Sequence, residues 1–226
     1  MEDGLQVIVE TIKAGRQIMD NIKKIVAYLM ATGFSELLLI GGALVVAGPI
    51  PLLPAQILWI NIIESGFMNF AFAFEPEEHD LMRRDPRKAG EWMLARSLRI
   101  LILAVALVTG FLLIALYLWT VRIGMPLEKL RTVLFVAVAV DSIFFSFSIK
   151  NLKKPLWRIS LFSNVYLLAA LAVSLTALFA ALAAPPLQTL LSLSPFSPNV
   201  FFLIIGLGIM NVAVIEIAKK IAFRGE

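Results

Sequence analysis

The chain has 226 residues, 60% of them hydrophobic and only 16% charged, with a mean hydropathy of +0.89. Water-soluble domains carry about 45–50% apolar and about 25% charged residues, so this composition excludes one and indicates an integral membrane protein. With no cysteine and a net charge of only +4, there is no disulfide framework and no cysteine metal site, and no nucleic-acid partner is expected.

Taken in order, residues 1–24 are polar and acidic at the start, unlike a signal peptide. Val7, Ile8, Ile12, Ile18 and Ile22 are spaced as one face of an amphipathic helix that runs on into an apolar segment. This reads as a cytoplasmic stalk segment or an interfacial helix. Six runs then reach the ~20 apolar residues a spanning helix needs: 25–47, 54–74, 97–119, 132–149, 159–183 and 199–218. Pro49, Pro51 and Pro54 divide the first two runs and force a tight antiparallel hairpin. Ala184-Pro185-Pro186 closes the fifth run, and SPFSPN leads into the sixth. The expected fold is therefore an all-α membrane protein, with a stalk at 1–24 and a six-helix transmembrane domain at 25–226.

Seventeen of the twenty Lys and Arg residues fall on one side of these spans; only Arg122, Lys129 and Arg131 fall on the other. By the positive-inside rule both termini and the loops 75–96 and 150–158 are cytoplasmic, with 48–53, 120–131 and 184–198 outside. His79 reads as a solvated loop residue, and the basic run RRDPRK at 83–88 as a headgroup contact. Gly41-Gly42, Gly206 and Gly208 suit close helix approach, while Trp59, Trp92, Trp119 and Trp157 suit interfacial belts.

Three acidic residues sit at the middle of spans: Glu36, Glu64 and Asp141. On an insertion scale each costs about 2.5–3.5 kcal/mol, and no Lys or Arg lies at that depth to offset it. Asn61, Glu64 and Ser65 share one helical face that Asn69 continues, and Thr32 and Ser35 accompany Glu36. Carboxylate, amide and hydroxyl oxygens suit a hard cation or a proton. A protonated carboxyl joining helices is the competing reading. Asn164 and Asn211 stand alone on their runs and read as packing.

Three stretches carry a family resemblance: AGRQIMDNIKKIVAYLMATGFSELLLI, PIPLLPAQILWINIIESG and AFAFEPEEHDLMRRDPR. Over residues 1–88 the chain resembles the C-terminal membrane half of a calcium-pump-like (type II) P-type ATPase, and beyond that the hydropathy of four more spans agrees. The resemblance implies that the six runs are helices five to ten of a ten-helix pump. It aligns Glu36 with the acidic ligand of the fifth helix, Asn61 with the amide ligand of the sixth, and Asp141 with the polar ligand position of the eighth. The chain departs from the pattern at Gly33, at Glu64-Ser65 and at Met68-Asn69, where calcium pumps tend to have Asn, Thr-Asp and Pro-Ala. The acidic group has moved one residue, about 100° around the helix, so one remodelled site is expected in place of a two-calcium site.

The expected metal ligands are thus Glu36, Asn61, Glu64, Asp141 and Ser65, for calcium, another cation or a proton. The expected partners are the lipid bilayer and a chain carrying the P-type ATPase cytoplasmic domains, in the plasma (cell inner) membrane. A stand-alone module of channel-like, secondary-transporter or regulatory type, and a non-functional fragment of a split gene, are the alternatives. The sequence contains no DKTG phosphorylation loop, TGES loop or PEGL motif, so ATP and magnesium enter only through other domains. Purified alone, the chain is expected to form no acid-stable phosphoenzyme; labelling with radioactive ATP checks this, and a hydroxylamine-sensitive product on this chain would refute it.

Overall fold

A computed structural model describes residues 2–77, 81–83 and 94–223; the side chains of Glu2, Asp3, Ser65 and Arg83 are not among what it describes. His79, Trp92 and the basic run 83–88, apart from the backbone of Arg83, lie outside the described residues. Those described form helices and connecting loops, with no strand.

Helix α1 runs unbroken from Glu2 to Val45. The hairpin follows, and Pro54 opens α2 (Pro54–Asn61), where its fixed φ and missing N–H cost nothing. Gln56 Oε1 accepts the Leu53 N–H at 2.9 Å, and Gln56 Nε2 donates to Leu191 O across the bundle at 2.9 Å. The second apolar run does not stay a plain α-helix. Residues Ile62–Met68 form a π-helical turn, and α3 (Asn69–Ala73) resumes beyond it.

Helix α4 spans Arg96–Arg122 and α5 spans Leu127–Ile149. Gly124, at φ +67°, makes the sharp turn between them, a backbone that side chains rarely adopt. Helix α6 covers Val165–Ala183, α7 covers Pro185–Leu191, and α8 covers Pro198–Ala222.

One expected boundary needs correction. The fifth helix starts at Val165, not 159. The buried Lys150 ammonium takes the carbonyls of Ser160 and Leu161 at 3.0 and 2.9 Å, which a helix would otherwise use. Asn164 then caps the helix by accepting the Leu167 N–H at 3.0 Å. Within 184–198 the Pro185-Pro186 pair starts the short α7, which contacts α2.

Five helices are each long and apolar enough to cross a membrane: α1, α4, α5, α6 and α8. The 54–73 stretch is split by its π turn, so neither α2 nor α3 reaches that length alone. Helix α5 is the hub, with 83% of its apolar window buried, against 28% for α6 and for α8. Around it the apolar side chains fall into two clusters. One gathers Leu39, Ile63, Val133, Val140, Leu178 and Ile204, and the other Tyr28, Phe72, Ile143, Phe145, Leu167 and Ile215. Between these clusters lies a polar layer.

Helices α1 and α4 pack along each other. A Cβ on Gly110 would lie 2.8 Å from Leu38 Cβ, and one on Gly42 would lie 2.8 Å from Ile114 Cδ1. Gly208 faces Phe144 equally closely, whereas Gly41 and Gly206 have open space and make no such approach. Gly110→Ala is expected to destabilise the bundle by about 1–3 kcal/mol through overpacking, and Gly41→Ala to leave it unchanged; unfolding midpoints in detergent check the contrast.

Candidate functional site

Each long helix supplies a polar side chain at the seam between the two apolar clusters. Helix α1 gives Thr32, Ser35 and Glu36; α4 gives Thr109; α5 gives Asp141 and Ser142; α6 gives Ser174; and α8 gives Asn211. The π turn adds Glu64. A π turn holds one extra residue per turn and is frequent at functional sites.

Glu64 is 2% exposed and Glu36 8%, and each carboxylate bears on the other. The hydroxyls of Thr32 and Ser142 contact Glu64, yet its Oε1 has no hydrogen-bond partner, and neither has Glu36 Oε1. Tyr28 lies toward the N-terminal end of α1 from Glu36. Its ring stacks on Phe145 with centroids 5.6 Å apart and tilts against Phe72 at 5.4 Å, while its hydroxyl donates to Ser142 O at 3.2 Å. Ser35 turns its hydroxyl back to Thr32 O at 2.7 Å, and Thr32 does the same to Tyr28 O at 3.1 Å. Two neighbouring carboxyl groups, each with an unpartnered buried oxygen, thus share a low-dielectric setting.

The expected ligands do not all gather there. Asn61 is exposed on α2, and the Ser65 side chain lies outside the described residues. Asp141 is close enough for its charge to bear on Glu64, but its Oδ1 accepts a hydrogen bond from Asn211. Among the described residues no three acidic or histidine side chains converge as a metal cluster. Asn69 is buried, as its stripe suggests.

Sequence reasoning missed Ser142, Tyr28, Thr109 and Asn211. Ser142 had a signal, since it follows Asp141 directly. Asn164 and Asn211 are more than packing: Asn164 Nδ2 donates to Glu75 Oε2 at 2.7 Å and to Ala71 O at 2.9 Å, besides capping α6.

A second polar assembly lies toward the Lys150 end. Lys150, its side chain 2% exposed, reaches Glu75 at 3.6 Å and donates to the Ser163 hydroxyl at 3.1 Å. Burial lowers its pKa, and the Glu75 carboxylate opposes that shift. From α1, Asn21 and Gln17 both donate to Glu75 O at 3.1 Å. Lys219 likewise donates to Ser148 O at 2.7 Å and Asn151 O at 3.1 Å, and pairs with Glu216 at 2.8 Å.

Residues 49–221 match the family described as cation transporting ATPase, C-terminus. That match embraces the π turn, Asp141 and Asn211. The chain belongs to this family. It is similar to the calcium-transporting ATPase of Bacillus subtilis (strain 168), at 29% identity over 213 residues, covering 92% of this chain and 23% of that protein. It is also similar to calcium-transporting ATPase type 2C member 2 of Mus musculus, at 30% over 223 residues, covering 97% of this chain and 23% of that protein. Probable cation-transporting ATPase F of Mycobacterium tuberculosis (strain ATCC 25618 / H37Rv) matches at 28% over 205 residues, 88% of this chain and 22% of that protein. The chain thus spans under a quarter of the length of these relatives and corresponds to the C-terminal membrane region of P-type cation ATPases.

Membership in this family does not decide between a ligand pair and two protonated carboxyls acting as helix contacts; stability does. Without bound metal, Glu64→Gln keeps the shape and removes an unsatisfied charge, so it is expected to stabilise the protein by about 1–3 kcal/mol. Unfolding in chelator at mildly alkaline pH checks this. An unchanged midpoint would favour the protonated, helix-joining carboxyl.

Proposed function

We propose that this chain supplies the cation-binding part of a P-type pump, with Glu36 and Glu64 holding the transported ion. The observation that carries the reading is the pair of buried, unpartnered carboxylate oxygens on facing elements, at the middle of their spans. A hard divalent cation takes oxygen ligands at about 2.3–2.6 Å when it is calcium, and two carboxylates neutralise its charge. Calcium is the preferred ion because relatives at 29–30% identity are calcium-transporting ATPases. Thr32 and Ser142 add hydroxyl oxygens beside Glu64. Asn61 is exposed, so its amide is free to meet a membrane helix of the pump that lies outside this chain.

The topology that goes with this reading has six crossings, the second made by α2, the π turn and α3 together. Backbone groups in a π turn bond within the segment, so the composite remains compatible with hydrocarbon. Both termini lie on the cytoplasmic side of the plasma (cell inner) membrane, as the charge distribution supports. Helix α1, 44 residues long, extends about 66 Å at 1.5 Å per residue, roughly twice the ~30 Å hydrocarbon core. Its first 24 residues then form a stalk, steadied by Lys13–Glu77 at 2.8 Å and by Arg16 donating to Leu81 O at 3.0 Å. Phosphorylation and nucleotide binding belong to cytoplasmic domains that this sequence does not contain, and the stalk is their mechanical link to the site.

Reconstituted with such domains, wild type should show calcium-stimulated ATP hydrolysis. Glu36→Gln and Glu64→Gln should each weaken calcium binding by at least about tenfold, or 1.4 kcal/mol. Ser35→Ala, whose hydroxyl is turned to its own backbone, should bind normally. Wild-type affinity in both glutamine variants would remove the site.

A further inference from the structure

The connection between α5 and α6 is held from inside by one buried ion pair of α8. Glu216 and Lys219 are 5% and 2% exposed and lie 2.8 Å apart. Glu216 Oε2 accepts the Leu156 N–H at 3.0 Å, and its Oε1 accepts the Ser148 hydroxyl at 2.9 Å. Lys219 donates to the carbonyls of Ser148, Asn151 and Lys154. Asn151 Oδ1 accepts the N–H groups of Lys153 and Lys154 at 2.9 and 2.6 Å. The Arg158 N–H then closes a short turn on Pro155 O at 2.9 Å. The backbone from 148 to 158 is thus pinned at most of its residues.

The side chains this segment leaves outside are of two kinds. Lys154 and Arg158 are exposed, and so is Lys220, the residue after the buried Lys219. None of the three has an acidic partner among the described residues. Lys220 lies one turn beyond Glu216, on the face of α8 that meets Leu156. Trp157 is 75% exposed, and Ile217 and Ile221, one turn apart on α8, are 59% and 67% exposed. Open water suits the cations and not the apolar groups, and hydrocarbon suits the reverse. The boundary between them accommodates both, because indole rings collect there and basic stems hold their charge at headgroup level. Three cations without acids attract an anionic headgroup, whereas a zwitterionic one brings an ammonium of its own. An acidic protein surface would answer the cations but not the isoleucines, which sit on a helix long and apolar enough to span. The pinned backbone is already ordered, so a ligand meets it at little cost in freedom.

We propose that Lys154, Trp157 and Arg158, with Lys220 of α8, form a binding site for an anionic phospholipid. The headgroup phosphate meets the three cations, and an acyl chain lies along Ile217 and Ile221. The bound lipid ties the connection to α8 from outside, as Glu216 and Lys219 do from inside. The inference stands on its own geometry and does not require calcium at the Glu36–Glu64 pair.

The test uses the full chain in nanodiscs of phosphatidylcholine with a minor share of phosphatidylglycerol. Lipids that stay bound on transfer to mild detergent are counted by native mass spectrometry. Wild type should retain phosphatidylglycerol over phosphatidylcholine by about fivefold or more relative to the supplied ratio. The Lys154→Gln/Arg158→Gln double variant should lose that preference. Arg122→Gln/Lys129→Gln, at the other end of α5, should keep it. Glu216→Gln, which frees the turn and leaves every outward side chain, should reduce it. Glycerol phosphate added in solution should not displace the lipid. No preference in wild type would overturn the site. So would a preference that survives Lys154→Gln/Arg158→Gln, equal loss in the opposite-end variant, or displacement by glycerol phosphate. An unchanged preference in folded Glu216→Gln would overturn the pinned turn as the binding element. If Glu216→Gln does not fold, the two charge variants decide between them.

Discussion

A carboxylate in the hydrocarbon region has no water to solvate it, so every oxygen it carries must find a donor or a cation inside the protein. Glu36 and Glu64 are held to this condition together, because the proline-rich hairpin joins α1 to the segment that carries Glu64. From residue 25 to residue 82 there is no Lys or Arg, nor is there one from 132 to 149 or from 159 to 218. The chain therefore brings negative charge to mid-depth and supplies no positive charge to meet it. The π turn fits this constraint. It changes the register of the helix at the point where Glu64 must face α1 and α5, and it does so without exposing backbone groups to lipid.

The buried lysines, unlike the two glutamates, are met by the chain itself. Lys219 and Lys150 are as buried as the carboxylates, and each is met by backbone carbonyls and by an acid. Those bonds fix the 150–164 connection and the start of α6. The two ammonium groups are thus satisfied within the chain, whereas Glu36 Oε1 and Glu64 Oε1 are left without donors. Breaking a buried pair by deleting one partner costs about 3–5 kcal/mol, so these assemblies are rigid supports for the layer above them.

The bundle was legible from hydropathy because lipid imposes long apolar runs, and the runs at 97–119, 132–149 and 199–218 lie within α4, α5 and α8. What stayed hidden depended on contacts distant in sequence. The start of α6 follows from Lys150, ten residues before Ser160, capturing carbonyls; no pattern inside 159–183 announces it. The π turn likewise reflects how Glu64 is met by α1 and α5. Glu36 and Glu64 were readable because a charge at a span's midpoint stands out. Thr109 lies as close to the middle of its run, but one hydroxyl among apolar residues carries no such signal. Asn211 looked isolated along its helix and acquires meaning only beside Asp141 and Thr109.

Counting carboxylates overstates the charge at any one place in this layer. Adjacent residues on an α-helix point about 100° apart. Ser142 therefore faces Glu64 and Tyr28, while Asp141 turns toward α8 and Asn211. Helix α5 acts as a wall with a polar group on each side, dividing the layer into a two-carboxylate half and a one-carboxylate half. Helix α5 is the most buried of the long helices and packs against both halves. The chemistry of the layer follows from how α5 partitions its oxygens, more than from how many it contains.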